Sequence, residues 1–222
     1  MKKIANTFFL WDIFEYEIAI KELKETISLI DKINNKTMQI QILKKQLKCS
    51  LKEFLSIPLG RISMPQIWDI MANAKRRSIY EKNNMDALFR CEIALKKIAQ
   101  LELSIKYNIN IEEFFSSYQK LFTKESTEIK LLLSQKQPLN PGVEGAFQLL
   151  EKLGNHIGEK FMKNKILQNY LKEKYSFITP IGLKNCNKKT FENIFKAISE
   201  ILNINEEHLI QLPKIKFNVS DS

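Results

Sequence analysis

The stretch that decides the fold is residues 13–30, IFEYEIAIKELKETISLI. Its apolar side chains recur in steps of three and four residues, at Ile13, Tyr16, Ile20, Leu23, Ile27 and Ile30. That spacing places them along one face of an α-helix. After Thr37, a residue type that caps helices, the same rhythm returns and continues to Phe54, before Pro58 and Gly60. The two segments predict an antiparallel helical hairpin.

Helical periodicity continues beyond this hairpin. Apolar residues keep the same spacing through four further segments, residues 64–74, 88–105, 143–171 and 190–202. Six glycines and six prolines in 222 residues are too few for the frequent turns of a β-sandwich or barrel. Only residues 214–219 alternate as a strand does. The sequence therefore predicts an all-α fold.

One internal boundary stands out in this helical pattern. Pro138 and Pro141 lie within the segment QPLNPG, residues 137–142, and two prolines so close together do not permit a continuous helix. We predict a helical bundle domain over residues 1–137. A smaller helical domain with a short extended tail is predicted over residues 138–222.

Basic residues are in excess and unevenly placed. Lysine and arginine number 35 against 25 acids, a net charge of +10, although lysine abundance is also what an AT-rich genome produces. Between Asp31 and Glu53 lie six lysines and no acid, and residues 75–77 are Lys-Arg-Arg. Such clusters suit the phosphates of nucleic acid. The predicted nucleic-acid-binding residues are Lys44, Lys45, Lys48, Lys52, Lys75, Arg76, Arg77, Lys184, Lys188 and Lys189.

Residues suited to catalysis are scarce. His156 and His208 are isolated in the sequence, and no arginine precedes either within six residues, so the Arg-x(4–6)-His signature of small helical ribonucleases is absent. The three cysteines have no paired spacing, and no glycine-rich phosphate-binding loop is present. We therefore predict a protein that is not an enzyme, without a catalytic residue, metal or cofactor.

These observations leave several functions open. The favoured one is nucleic-acid binding through lysine-rich faces, as an accessory subunit of a larger complex. The first alternative is a helical adaptor that binds another protein, with its charge set by genome composition. The second is attachment to a membrane surface through the amphipathic segment 37–57. No apolar stretch approaches the length of a membrane span, and the cysteine usage predicts an intracellular, cytoplasmic location.

Overall fold

A computed structural model describes residues 2–33, 37–111, 113, 142–173, 186–204 and 209. Over these residues the chain forms nine α-helices and no strand, which confirms the predicted all-α fold. The helices are α1 (Lys2–Asp12), α2 (Tyr16–Asp31), α3 (Met38–Leu55), α4 (Met64–Ile79), α5 (Asn84–Tyr107), α6 (Val143–Lys152), α7 (His156–Lys163), α8 (Lys165–Glu173) and α9 (Lys188–Leu202).

The described chain divides into two compact units. The first runs to Gln66 and the second from Ile67 to Leu209. The boundary predicted between residues 137 and 138 lies outside the described residues, as does the extended tail, so the division into residues 1–137 and 138–222 stays a prediction.

The first unit is built around an aromatic core. Trp11 of α1 stacks on Phe54 of α3 with ring centroids 3.4 Å apart, and its edge meets Tyr16 of α2. Trp11 and Phe54 are fully buried. Such aromatic contacts bury large apolar areas and fix the geometry of the rings. The core therefore joins α1, α2 and α3.

The first helix of the hairpin begins later in the chain than the sequence predicts. The apolar rhythm predicts a helix from Ile13, but Ile13 is 42% exposed and α2 begins at Tyr16. Phe14 adopts a left-handed backbone conformation, with φ of 66°, and the Glu15 N–H donates to the Leu10 carbonyl. This turn separates α1 from α2. At the other end Thr37 caps α3 as expected, because its hydroxyl oxygen accepts a hydrogen bond from the Ile40 N–H.

The second unit is organised around α5, its longest helix. Both α6 and α9 pack on α5, and α7 and α8 pack on α6 and α9. Phe147 of α6 and Phe161 of α7 stack with centroids 3.9 Å apart. Tyr170 of α8 is buried and donates its hydroxyl proton to the Leu88 carbonyl of α5, and burial raises the pKa of this phenol. Tyr170 is thus part of the core.

Two glycines shape the junction of α6 and α7. Gly154 adopts a φ of 71° in the turn, which is a conformation that a side chain would strain. Gly158 lies where the helices cross: a Cβ there would come within 2.4 Å of the Glu151 backbone nitrogen. The close crossing places the first turn of α7 directly against α6. In the described part of the chain, every helix is too short or too polar to cross a membrane.

Candidate functional site

Four predicted lysines lie together on α3. A shallow groove of about 430 Å³ runs along this helix, lined by Gln41, Lys44, Lys45, Lys48, Cys49 and Lys52. At about 100° per residue these positions fall roughly opposite the buried residues Leu47, Ser50 and Phe54. We call Lys44, Lys45, Lys48 and Lys52 the lysine ridge. The lysine ridge follows from helical periodicity, because Leu47 and Phe54 of α3 are buried and the lysines lie on the opposite, solvent-facing side of the helix.

The ridge lysines differ in their partners. Lys44 forms an ion pair with Asp31 at the end of α2. Lys45, Lys48 and Lys52 are exposed and have no hydrogen bond or ion pair within the described ranges. Three ammonium groups on one helix face are therefore available to an external anion.

The arginines of α4 are held differently. Arg76 lies 3.9 Å from Asp69, whose carboxylate is fully buried, and Arg77 lies 3.2 Å from Asp86 and 2.5 Å from Glu81. The side chains of Arg76 and Arg77 are 16% and 19% exposed. Arg90 of α5 joins the group by a 3.3 Å contact with Asp86, completing what we call the arginine cluster: Asp69, Arg76, Arg77, Glu81, Asp86 and Arg90.

The carboxylates of this cluster already neutralise its guanidinium groups. A phosphate would have to displace them, at the cost of leaving acids unpaired in a partly buried setting. A nucleic-acid role for Arg76 and Arg77 stays a prediction, and their surroundings are those of a structural ion-pair network.

The other predicted basic residues are dispersed. Lys75 is half-buried and already engaged in an interaction, whereas Lys188 and Lys189 are exposed in the first turn of α9. Lys188 lies 3.5 Å from Glu192, one turn along the helix. Lys184 lies outside the described residues.

A polar group that the sequence did not reveal lies at the residue before His156. This exposed histidine is the first residue of α7, directly after the buried cap Asn155. The side-chain oxygen of Asn155 accepts hydrogen bonds from Ile157 N–H (2.9 Å) and Gly158 N–H (3.3 Å). Its amide nitrogen donates to Glu102 of α5 at 2.9 Å.

Glu102 also binds Lys106, with the ammonium nitrogen 2.7 Å from the carboxylate oxygen. Tyr107, the last residue of α5, donates to the Leu153 carbonyl at 3.2 Å. The end of α5 is thus fastened to the turn that presents the histidine. We call Glu102, Lys106, Asn155 and His156 the histidine corner.

The corner is not evident from the sequence because α5 and the start of α7 are separated by about 50 residues along the chain. The one local signal is Asn155, an N-cap residue type, before His156. Nothing in the sequence around Glu102 indicates that its carboxylate meets this cap. His208 lies outside the described residues, which contain no group of three His, Cys, Asp or Glu side chains placed to hold a metal ion.

Comparison with known proteins gives one result. A family model described as the Csm6 HEPN domain matches residues 61–205, which are 145 of the 222 residues. The match covers nearly the same residues as the second unit, including the arginine cluster and the histidine corner. It relates the chain to CRISPR-associated proteins and to nucleic acid. No curated protein and no solved structure matches.

This match corrects one prediction from the sequence. Csm6 HEPN proteins are typically ribonucleases, so the match points to an enzyme and the prediction of a non-enzymatic protein is wrong. That prediction rested on single residues and short motifs. A family relationship is carried by the pattern of a whole helical domain, which a search for isolated catalytic signatures does not detect.

Proposed function

This chain belongs to the Csm6 HEPN domain family, and from that premise we propose that its second unit cleaves RNA at the histidine corner. The observation that carries the proposal is the extent of the match, residues 61–205, because it encloses the whole corner. His156 is also the one histidine within the matched residues.

The chemistry follows from the groups at the corner. An imidazole is well suited to exchange protons near neutral pH. We assign His156 to remove the proton from a ribose 2′-hydroxyl, whose oxygen then attacks the adjacent phosphorus. The bond to the 5′-oxygen breaks, and that oxygen takes up a proton. The products are a 2′,3′-cyclic phosphate end and a 5′-hydroxyl end.

The other corner residues have supporting roles in this proposal. Negative charge develops on the phosphate oxygens during attack, and a nearby cation lowers the energy of that state. We assign this role to Lys106, whose ion pair with Glu102 is partly exposed, so that exchanging this partner for a phosphate costs less than in the buried pairs of the arginine cluster. Asn155 and Glu102 position the start of α7 through their 2.9 Å hydrogen bond.

The proposal is tested with purified full-length protein and an end-labelled single-stranded RNA. We expect products ending in 2′,3′-cyclic phosphate, and a loss of about a hundredfold or more in cleavage rate for His156→Ala. The matched control is His208→Ala, which removes the histidine outside the matched residues and should leave the rate unchanged. Absence of cleavage by the unmutated protein, or full activity in His156→Ala, would refute the proposal.

The two alternative functions are not favoured by any observation on the described residues. A role as a protein-binding adaptor and attachment to a membrane surface both stay predictions from composition and amphipathic pattern. The intracellular location likewise stays a prediction.

A further inference from the structure

We infer that the lysine ridge of the first unit holds the sugar-phosphate backbone of single-stranded RNA. This surface lies outside the family match, which begins at residue 61. The inference rests on the proposed function in one respect, that the RNA held is the one the second unit cleaves. In this inference α3 binds the RNA strand and takes no part in its cleavage.

Charge placement is the first support. Along α3, Lys48 and Lys52 are one helical turn apart, about 6 Å along the axis, and Lys45 lies beside them. None of the three has an acidic partner among the described residues, and residues 32–52 contain no acid at all. A row of unpaired cations of this kind follows a phosphate backbone and releases its condensed counterions.

The packing of α3 argues for RNA over a lipid surface. A helix that lies on a membrane inserts its apolar face among the lipids. The apolar face of α3 is already used, because Leu47 and Phe54 are fully buried and Phe54 stacks on Trp11. Around the groove the helix offers lysines, Gln41 and Cys49. The groove lining is mainly charged, which suits a polyanion, and the exposed apolar residues of α3, Met38, Ile42 and Leu55, lie outside that lining. The family also relates the chain to nucleic acid.

Binding is tested by fluorescence anisotropy with a labelled 2′-O-methyl uridine oligonucleotide of about 20 residues, which lacks the attacking hydroxyl and stays intact, over a salt series of about 50 to 300 mM. The ridge variant is K45E/K48E/K52E, which leaves the Lys44–Asp31 ion pair intact. The control variant is K21E/K24E/K32E, which makes the same charge change on three exposed lysines of α2 and its C-cap.

We expect the ridge variant to lose at least about tenfold in affinity at the lowest salt. Its slope of log affinity against log salt should fall by about 2, since each phosphate contact on a single strand contributes about 0.7. The control should keep most of its affinity and nearly the full slope. Equal losses in both triple variants would show a nonspecific effect of net charge and overturn the assignment to α3.

Cys49 provides a second measurement that does not depend on mutation. It is exposed on the ridge face. Saturating RNA at about 50 mM salt should slow alkylation of Cys49 by at least about threefold, because a bound strand covers the groove, and the slowing should diminish at about 300 mM salt. Unchanged alkylation of Cys49 at saturating RNA would overturn the inference.

The outcomes separate this inference from the proposed function. RNA binding through the ridge without any cleavage would refute the proposed ribonuclease activity and support RNA binding by the ridge. Cleavage with the same KM in the unmutated protein and the ridge variant would refute the ridge alone. Ridge-dependent binding to phosphatidylserine vesicles, with no affinity for RNA, would assign the surface to lipid and overturn the inference.

Discussion

The lysine ridge and the arginine cluster look alike in the sequence, since each is a short run of basic residues on a helix. In the structure Lys45, Lys48 and Lys52 have no partner among the described residues, whereas Arg76 and Arg77 lie against carboxylates. The difference comes from the acids. Glu53 follows Lys52 in the chain but forms no ion pair with Lys45, Lys48 or Lys52, whereas Asp69, Glu81 and Asp86 lie against the arginines.

A basic cluster in a sequence is therefore not yet a binding surface. Its availability depends on which acids the fold brings within reach and on how far water is excluded. Replacing an exposed lysine changes the free energy of unfolding little, because water solvates its charge. Removing a guanidinium group beside a buried carboxylate destabilises the fold, because the carboxylate is then left buried without a partner. Lysines of the first kind can bind a ligand, whereas arginines of the second kind stabilise the fold.

Thiol reactivity gives the largest expected contrast between the two units. Cys49 on α3 is exposed, whereas Cys91 in the core of α5 is fully buried, and burial raises the pKa of the Cys91 thiol. We expect Cys91 to react with a thiol reagent at least about a thousandfold more slowly than Cys49, since access requires opening of the unit. Mass spectrometry of timed samples measures both rates. Comparable rates would mean that the core of the second unit opens readily.

Replacing one basic residue from each region should separate their roles. Arg76→Ala removes the cation beside the fully buried carboxylate of Asp69 and should lower the free energy of unfolding by about 2 to 3 kcal/mol. Lys48→Ala should change it by no more than about 0.5 kcal/mol. Urea denaturation measures both. If the two variants are equally stable, the arginine cluster is not a structural network.

The two N-caps allow a finer comparison. Asn155→Ala removes a buried cap that accepts two backbone N–H bonds and binds Glu102, and it should cost about 1 to 2 kcal/mol. Thr37→Ala removes an exposed cap with a single 3.4 Å bond and should cost about 0.5 kcal/mol. Thermal unfolding followed by circular dichroism checks the order. The reverse order would show that the histidine corner does not hold α7 in place.

The smallest effect is expected from an exposed ion pair of the first unit. Lys3 donates a 2.6 Å hydrogen bond to Glu25, which lowers the pKa of that carboxyl and raises the pKa of the ammonium. Because the carboxyl pKa is lowered on folding, this stabilisation is present at neutral pH and is lost as the pH falls through the lowered value.

Lys3→Met should therefore lower the Tm slightly at about pH 7 and have no effect at about pH 2, where Glu25 is protonated in both states. Melting curves of the two proteins at each pH provide the test. A Tm difference that persists at low pH would mean that Lys3 acts through packing of its side chain and not through its charge.

Much of the architecture could be predicted because it depends on local periodicity. The steps of three and four residues predicted the helices α2 and α3, and the absence of acids between Asp31 and Glu53 predicted the basic face of α3. The start of α2 was placed wrongly at Ile13. The left-handed conformation of Phe14 ends α1, where the Phe14 N–H donates to the Trp11 carbonyl and the Glu15 N–H donates to the Leu10 carbonyl. Glycine usually marks such a helix end, so a phenylalanine at this position gives no signal in the sequence.

The candidate site was much harder to predict. His156 is isolated in the sequence because no suitable partner lies near it, yet Glu102 of α5 accepts a hydrogen bond from the N-cap Asn155 beside it and pairs with Lys106. The arginines of α4 seemed available because the buried position of Asp69 is not visible from its neighbours in the chain. Contacts between residues distant in sequence depend on how helices pack, and a single sequence does not specify those pairings.

The amino-acid sequence by itself determined the helical class, the cap at Thr37 and the row of lysines along α3, since all three arise from interactions within a few residues. Only the tertiary structure decided which cations are neutralised and which residue of α5 meets the N-cap that precedes His156. The physical reason is the distance along the chain over which each kind of interaction acts. Helical periodicity and capping act over one or two turns, whereas burial and charge pairing depend on every element that packs nearby.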